Sequence, residues 1–136
     1  MTDICHVDED IREGVALWET GRYLEAHEEF EQLWRTDVGR RRHFLRGLIH
    51  AAMGFHYVTL GDTVSAWSKL GSAGSLLEGF AGDFLGLDVH GLRAGIASAR
   101  VVLEAARDAT PIDPQRILIP RLTPAAGEPA VREMEP

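Results

Sequence analysis

All six prolines of this 136-residue chain lie beyond residue 110, at Pro111, Pro114, Pro120, Pro124, Pro129 and Pro136. Residues 1–109 therefore hold nothing that removes a helical N–H or clashes with the preceding turn. The same stretch has no β-branched run alternating with polar residues, so strand signals are scarce. These two features predict an all-α chain: a compact array of five helices over 1–109, then an irregular, proline-rich tail over 110–136. The length suits one domain with its own core.

The most informative helix is the run Gly21 to Trp34. At 3.6 residues per turn, Tyr23, Ala26, His27, Phe30, Leu33 and Trp34 share one face, and Glu25, Glu28, Glu29 and Gln32 share the other. His27 thus lies on the apolar stripe with Glu31 one turn on. A polar ring facing a core needs a partner there, because an unpaired buried polar group costs about 1–3 kcal/mol.

The remaining helices follow from the same periodicity. The first covers about Asp8 to Thr20, with Asp8, Glu9 and Asp10 at the positive end of its dipole and Val7, Ile11, Val15 and Trp18 on its stripe. The second ends near Thr36, and Asp37 to Gly39 turn the chain. The third runs from about Arg40 to Leu60. Its apolar arc of Phe44, Leu45, Leu48, Ile49, Ala52, Met53, Phe55 and Leu60 is wide enough for a central helix, and His56 falls inside it. On its other side lie His43, Gly47, His50 and Gly54. Glycines cost a helix about 1 kcal/mol each, so that side is expected to meet another backbone, with a second subunit as one candidate. The fourth helix starts after Gly61 with Asp62 as N-cap, buries Ala66, Trp67, Leu70, Ala73, Gly74 and Leu77, and ends by Gly79 and Gly82. A loop over 83–88 buries Phe84 and Leu87. The fifth helix runs from Asp88, its N-cap, to about Ala106 along Leu92, Ile96, Ala99 and Leu103. Ile117, Leu118 and Ile119 are too apolar to stay wet, so 117–119 is expected on the body or a neighbouring subunit. Residues after Pro124 are expected to lack order unless a partner holds them.

The second and fourth helices echo each other at an offset of 40: Gly21 with Gly61, Ala26 with Ala66, Phe30 with Leu70, Leu33 with Ala73. The spacing resembles the tetratricopeptide pattern at the turn of its paired helices. Glycine permits the turn, alanine permits close approach, and the large residue fills the groove. Chance agreement between two amphipathic helices is the competing account, and two units are too few for a free-standing solenoid. The array is therefore read as two hairpin-like, tetratricopeptide-like pairs.

A second resemblance is carried by Gly21-x-Tyr23-x-x-Ala26-His27-Glu28-x-x-Glu31-x-x-Trp34 and by Arg42-x-Phe44-x-x-Gly47-Leu48-Ile49, with His56-Tyr57, Gly61-Asp62 and Ala66. Over about residues 10–107 the chain resembles the family grouped as domain of unknown function 309. The resemblance implies an all-helical domain and no assigned activity. Asp62 stands where an asparagine is expected in the turn, and the fourth helix is unusually rich in glycine.

Two chemistries compete for the polar residues. His27 and Glu31 are spaced i, i+4 and meet on one helix face. With His56 from the next helix they would supply two imidazoles and a carboxylate for a divalent metal such as zinc or iron, with Glu28 as base of a hydrolase-like enzyme. Against this, His-Glu-x-x-His and paired Glu-x-x-His motifs are missing. The favoured reading is a structural network of His27, Glu28, Glu31, Trp34, Arg42, Arg46 and His56, with Glu31 accepting from the Trp34 indole and no cofactor. Arg35, Arg40, Arg41, Arg42 and Arg46 read either as an anion patch or, preferably, as partners of the glutamate face across the hairpin. His43 and His50 read as surface or interface residues.

A net charge of −7 argues against nucleic-acid binding, which needs basic surface to displace counterions. No run approaches about 18 apolar residues, so no membrane span is expected. Cys5 is the single cysteine, so no internal disulfide forms, and it has no activating partner in view beside His6. The acidic N-terminus is not a signal peptide. Together these point to a cytoplasmic, non-enzymatic module that associates with itself, as a homo-oligomer, or with a protein partner.

Overall fold

A computed structural model describes residues 7–80, 82–106 and 116–123. Cys5, His6 and every tail proline except Pro120 lie outside the described residues, as does the stretch after Pro124. A 3-10 turn, Glu9–Ile11, leads into α1 (Arg12–Glu19). Then come α2 (Tyr23–Thr36), α3 (Gly39–Leu60), α4 (Thr63–Leu77) and α5 (Val89–Ala106). The chain is a compact array of five helices, each packed on the next in sequence.

The expected loop over 83–88 is instead a minimal ribbon. β1 (Asp83–Phe84) pairs antiparallel with β2 (Leu87–Asp88). Leu85 and Gly86 both take positive φ, as a two-residue hairpin turn requires. Strands of two residues leave no alternation to read in the sequence.

The stripes read from periodicity form the core. Val7, Ile11, Val15, Trp18, Ala26, Phe30, Leu70, Leu77, Leu92, Ile96 and Leu103 are all buried. Trp18 meets Tyr23 and Phe55 edge-on at 5.4 and 5.7 Å between centroids. Phe44, Phe80 and Phe84 form a second aromatic group, 4.8–5.0 Å apart. Leu60 was expected in the buried arc but is 64% exposed, because α3 ends there.

The offset of 40 is a repeat in geometry as well as in letters. Gly21 and Gly61 both have positive φ. Gly21 N donates to Trp18 O and Arg22 N to Leu17 O; Gly61 N donates to Val58 O and Asp62 N to Tyr57 O. Both turns thus close the preceding helix by the same pair of bonds from glycine and the residue after it. The match extends backwards. Gly14 lies under Phe30, and Gly54 lies under Leu70: an added Cβ would stand 2.4 and 2.5 Å from those side chains. Gly47 lies likewise under Leu77, at 2.6 Å. The glycine side of α3 therefore faces α4 of the same chain rather than a second subunit. A bare backbone there lets α4 leucines seat directly on α3.

The segment 116–123 crosses the body. Trp18 Nε1 donates to Pro120 O at 2.9 Å, Asp88 N donates to Leu122 O at 2.9 Å, and Leu122 N donates to Glu19 Oε2. Ile117 is buried and Ile119 partly so, whereas Leu118 is 88% exposed. Successive side chains of an extended segment point opposite ways, so one of three neighbours is turned outward.

Candidate functional site

α2 presents His27 partly buried, as its place on the stripe requires, and Glu28 exposed. His27 Nδ1 is buried with no hydrogen-bond partner. The imidazole that shares its surroundings is His50 of α3. Burial holds the His50 pKa below its ordinary value, and the charges of Lys69, Arg46 and His27 lower it further. His50 Nδ1 is also buried and unpartnered. His56 was the expected second ring and is not brought there by the helix rotation. Six residues on from His50, it points about 240° further round α3. Its ring lies beside Tyr57, 6.0 Å away. Among the described residues no three of His, Cys, Asp and Glu are grouped as a metal ion would need. The set His27, Glu31 and His56 is not assembled as a ligand group.

Glu31 does not serve Trp34. It faces Arg35 on its own helix at 3.6 Å, an exposed pair of little energetic weight. Trp34 Nε1 is buried without an acceptor. The indole is covered instead by Arg42, whose guanidinium carbon stands 3.9 Å from the ring centroid and whose Nε donates to Trp34 O at 3.1 Å. Such cation–π packing is worth about 0.5–2 kcal/mol.

The arginines were expected against the glutamate face of α2, and they go elsewhere. Arg41 reaches Asp37 and Asp8 at 3.0 Å and Asp10 at 3.2 Å. It ties the start of α3 to the acidic 3-10 turn. Hydrogen bonding to Asp37 raises the Arg41 pKa and lowers that of Asp37. Arg40 lies over Phe80 at 4.3 Å. Arg46 has no hydrogen bond or ion pair among the described residues. The physical reason is reach: long side chains at the start of α3 find aromatic faces, the last turn of α2 at Trp34 and the carboxylates at Asp8, Asp10 and Asp37 before they find the glutamate face of α2.

What results is a strip of donors. Arg42, Arg46 and His50 recur every four residues on α3, and Lys69 of α4 and His27 of α2 flank the last of them. Near its start is a cavity of about 200 Å³ lined by Trp34, Gly39, Arg42, His43 and Arg46. A larger cavity of about 440 Å³ lies along α5, where Gly74 and Gly82 meet His90, Arg93, Ile96 and Arg100. Sequence reading found Arg42 and Arg46 but missed His50 and Lys69; the i, i+4, i+8 spacing of 42, 46 and 50 was the available signal.

Residues 11–68 match the family model described as "Domain of unknown function (DUF309)", which assigns this segment of the chain to that family. The match takes in α1 to α3 and the start of α4, stopping short of residue 107, where the sequence resemblance ends. A comparison with curated proteins finds no match.

Proposed function

We propose that this chain is a non-enzymatic helical module that acts by association, with itself or with a protein partner. The supporting observation is the duplicated hairpin, with Gly14 under Phe30 and Gly54 under Leu70. This favours the tetratricopeptide-like reading of the two pairs. Stacked hairpins of that kind use their surfaces for binding rather than for chemistry. Short connections place the Gly21 and Gly61 turns at the same end of the array. Leu24, Leu60 and Val64 are exposed there, at 40%, 64% and 71%. No helix of the described residues is long and apolar enough to cross a membrane.

Sedimentation velocity over a wide concentration range tests the self-associating form. Association should appear in the wild type and weaken in a Leu60→Ser, Val64→Ser double variant. A chain monomeric throughout would remove that form. Stoichiometric zinc or iron after chelator-free purification, lost in His27→Ala, would overturn the non-enzymatic reading in favour of a metal-dependent hydrolase.

A further inference from the structure

The cavity at the start of α3 has an unusual electrostatic makeup for a chain of net charge −7. Every ionisable side chain in its lining is basic: Arg42, His43 and Arg46. Arg42 and Arg46 are one turn apart and so project from one helix face. Arg42 is held in place by its bond to Trp34 O and by the indole beneath it. Its two Nη groups have no acceptor among the described residues, and Arg46 has no partner there at all. The acid nearest in sequence, Asp37, is occupied by Arg41 Nε at 3.0 Å and by Val38 N at 2.9 Å. Trp34 lines the cavity and carries Arg42 on its ring, while its own indole N–H is buried. Three basic side chains thus line one cavity, and none of the other lining residues is an acid.

We propose that this cavity is an oxyanion site that takes a phosphate group, free or as the monoester of a small molecule, between Arg42 and Arg46. Guanidinium forks match the oxygen spacing of phosphate, and charge-assisted bonds of this type are roughly twice as strong as neutral ones. A phosphate offers several acceptor oxygens and close to two charges near neutral pH. A carboxylate offers two oxygens and one charge, so it would leave more of these donors unmet. The start of α3 lies in the lining at Gly39, no side chain caps it, and its dipole adds to the same field. The lowered pKa of His50, one turn beyond Arg46, reports the positive potential of Arg46 and Lys69 after the larger effect of burial. This site is independent of the association proposed above: a monomeric chain could bind phosphate, and a self-associating one could fail to.

The test is thermal melting of the full chain in inorganic phosphate and in sodium chloride at matched ionic strength near neutral pH. Phosphate should raise Tm in a saturating manner, since a ligand that binds the folded state stabilises it by mass action. Acetate at equal concentration should give a clearly smaller rise. Glycerol phosphate separates the two sources: a Kd at or below that of phosphate marks the monoester, and a weaker one marks the free ion. Arg46→Gln should weaken phosphate at least about tenfold while leaving melting in chloride unchanged, because Arg46 has no partner to lose among the described residues. Arg46→Lys, which keeps the charge but not the fork, should fall between and serves if the glutamine variant folds poorly. Arg35→Gln, outside the cavity, should bind as the wild type does. Equal responses to phosphate and acetate, or a phosphate response indifferent to both Arg46 variants, would overturn the proposal.

Discussion

The α1–α2 and α3–α4 hairpins turn on the same hydrogen bonds and share one close contact, yet their outer helices differ in character. α2 carries a wet face of glutamates, whereas α4 is largely serine, glycine and alanine. The difference follows from what each helix touches. α2 packs on α1 and α3 and leaves its far side to water. α4 lies between α3 and α5 and must fit against both. The entry to each outer helix differs as well. Asp62 accepts from Ser65 N at 3.1 Å and caps α4, while Arg22 at the equivalent position caps nothing and pairs with Glu25. A glycine turn and one small-to-large contact are therefore enough to build the hairpin, and polarity is free to vary around them.

If the two contacts are equivalent, removing their large partners should produce the largest losses in the molecule. Phe30 and Leu70 are fully buried. Phe30→Ala should cost about 3–5 kcal/mol and Leu70→Ala about 2–5 kcal/mol, each opening a cavity over its glycine. Urea unfolding measures both. A Leu70→Ala loss below 1 kcal/mol would break the equivalence, since it would mean α4 is held mainly by α5.

The glycines sharpen the comparison at smaller cost. Alanine gains about 1 kcal/mol of helix propensity over glycine, against about 1–3 kcal/mol for overpacking. At Gly14 the three atoms nearest the added carbon all belong to the Phe30 ring, at 2.4–2.9 Å. At Gly54 it meets Leu70 Cδ2 at 2.5 Å and also the Leu70 backbone N at 3.3 Å, so a rotamer change does not fully relieve it. Gly54→Ala and Gly14→Ala should therefore each lower stability by up to about 2 kcal/mol, since a fully buried ring at Gly14 is no freer to move. A Gly54→Ala chain more stable than wild type would show that the two helices can part without loss.

Next in size come the caps. Asp62→Ala should cost about 1 kcal/mol through loss of its bond to Ser65 N. Arg22→Asp should gain up to about 1 kcal/mol, because it installs the missing cap and removes a cation from the positive end of α2. The exposed Arg22–Glu25 pair offsets little of this. Opposite signs at equivalent positions, read from denaturation midpoints, would confirm that the turns are alike and the caps are not.

These contrasts also show where sequence pattern carries information. Periodicity marked most of the apolar stripes, though not how far round α3 is buried, and side-chain chemistry marked the caps at Asp62 and Asp88, whose side chain accepts from Gly91 N at 2.9 Å. Both are local properties. Which residue meets which across helices is set by how one helix is rotated against the next. Seating Gly47 and Gly54 under α4 fixes the rotation of α3, and that rotation sets His50 rather than His56 in the neighbourhood of His27. The Gly14–Gly54 match was present in the letters, but a lone glycine in a short helix reads as a blemish until its partner Phe30 is seen. The arginines misled for another reason: dipole compensation demands an acid nearby without saying which, and Asp8, Asp10 and Asp37 were closer to Arg41 than the glutamates of α2.

The smallest effect probes the place where the hairpins meet. His50 on α3 is faced by Lys69 from α4, His27 from α2 and Arg46 from its own helix. Burial first, and then these charges, hold its pKa below the ordinary 6.5. The unfolded imidazole takes a proton as pH falls through 6.5, while the folded one resists until lower pH. Within that window the unfolded state binds more protons, so stability declines on acidification and the decline ends once the folded ring is also charged. Above the window the group contributes no slope. His50→Gln should flatten this part of the curve, measured as denaturation midpoints on either side of 6.5. The change is modest because the ring is only half-buried and solvent screens the cations. Wild type and variant losing stability in parallel across that interval would mean that the seam between the hairpins is wetter than the packing of His27 and His50 implies, and that their unpartnered Nδ1 atoms are met by water.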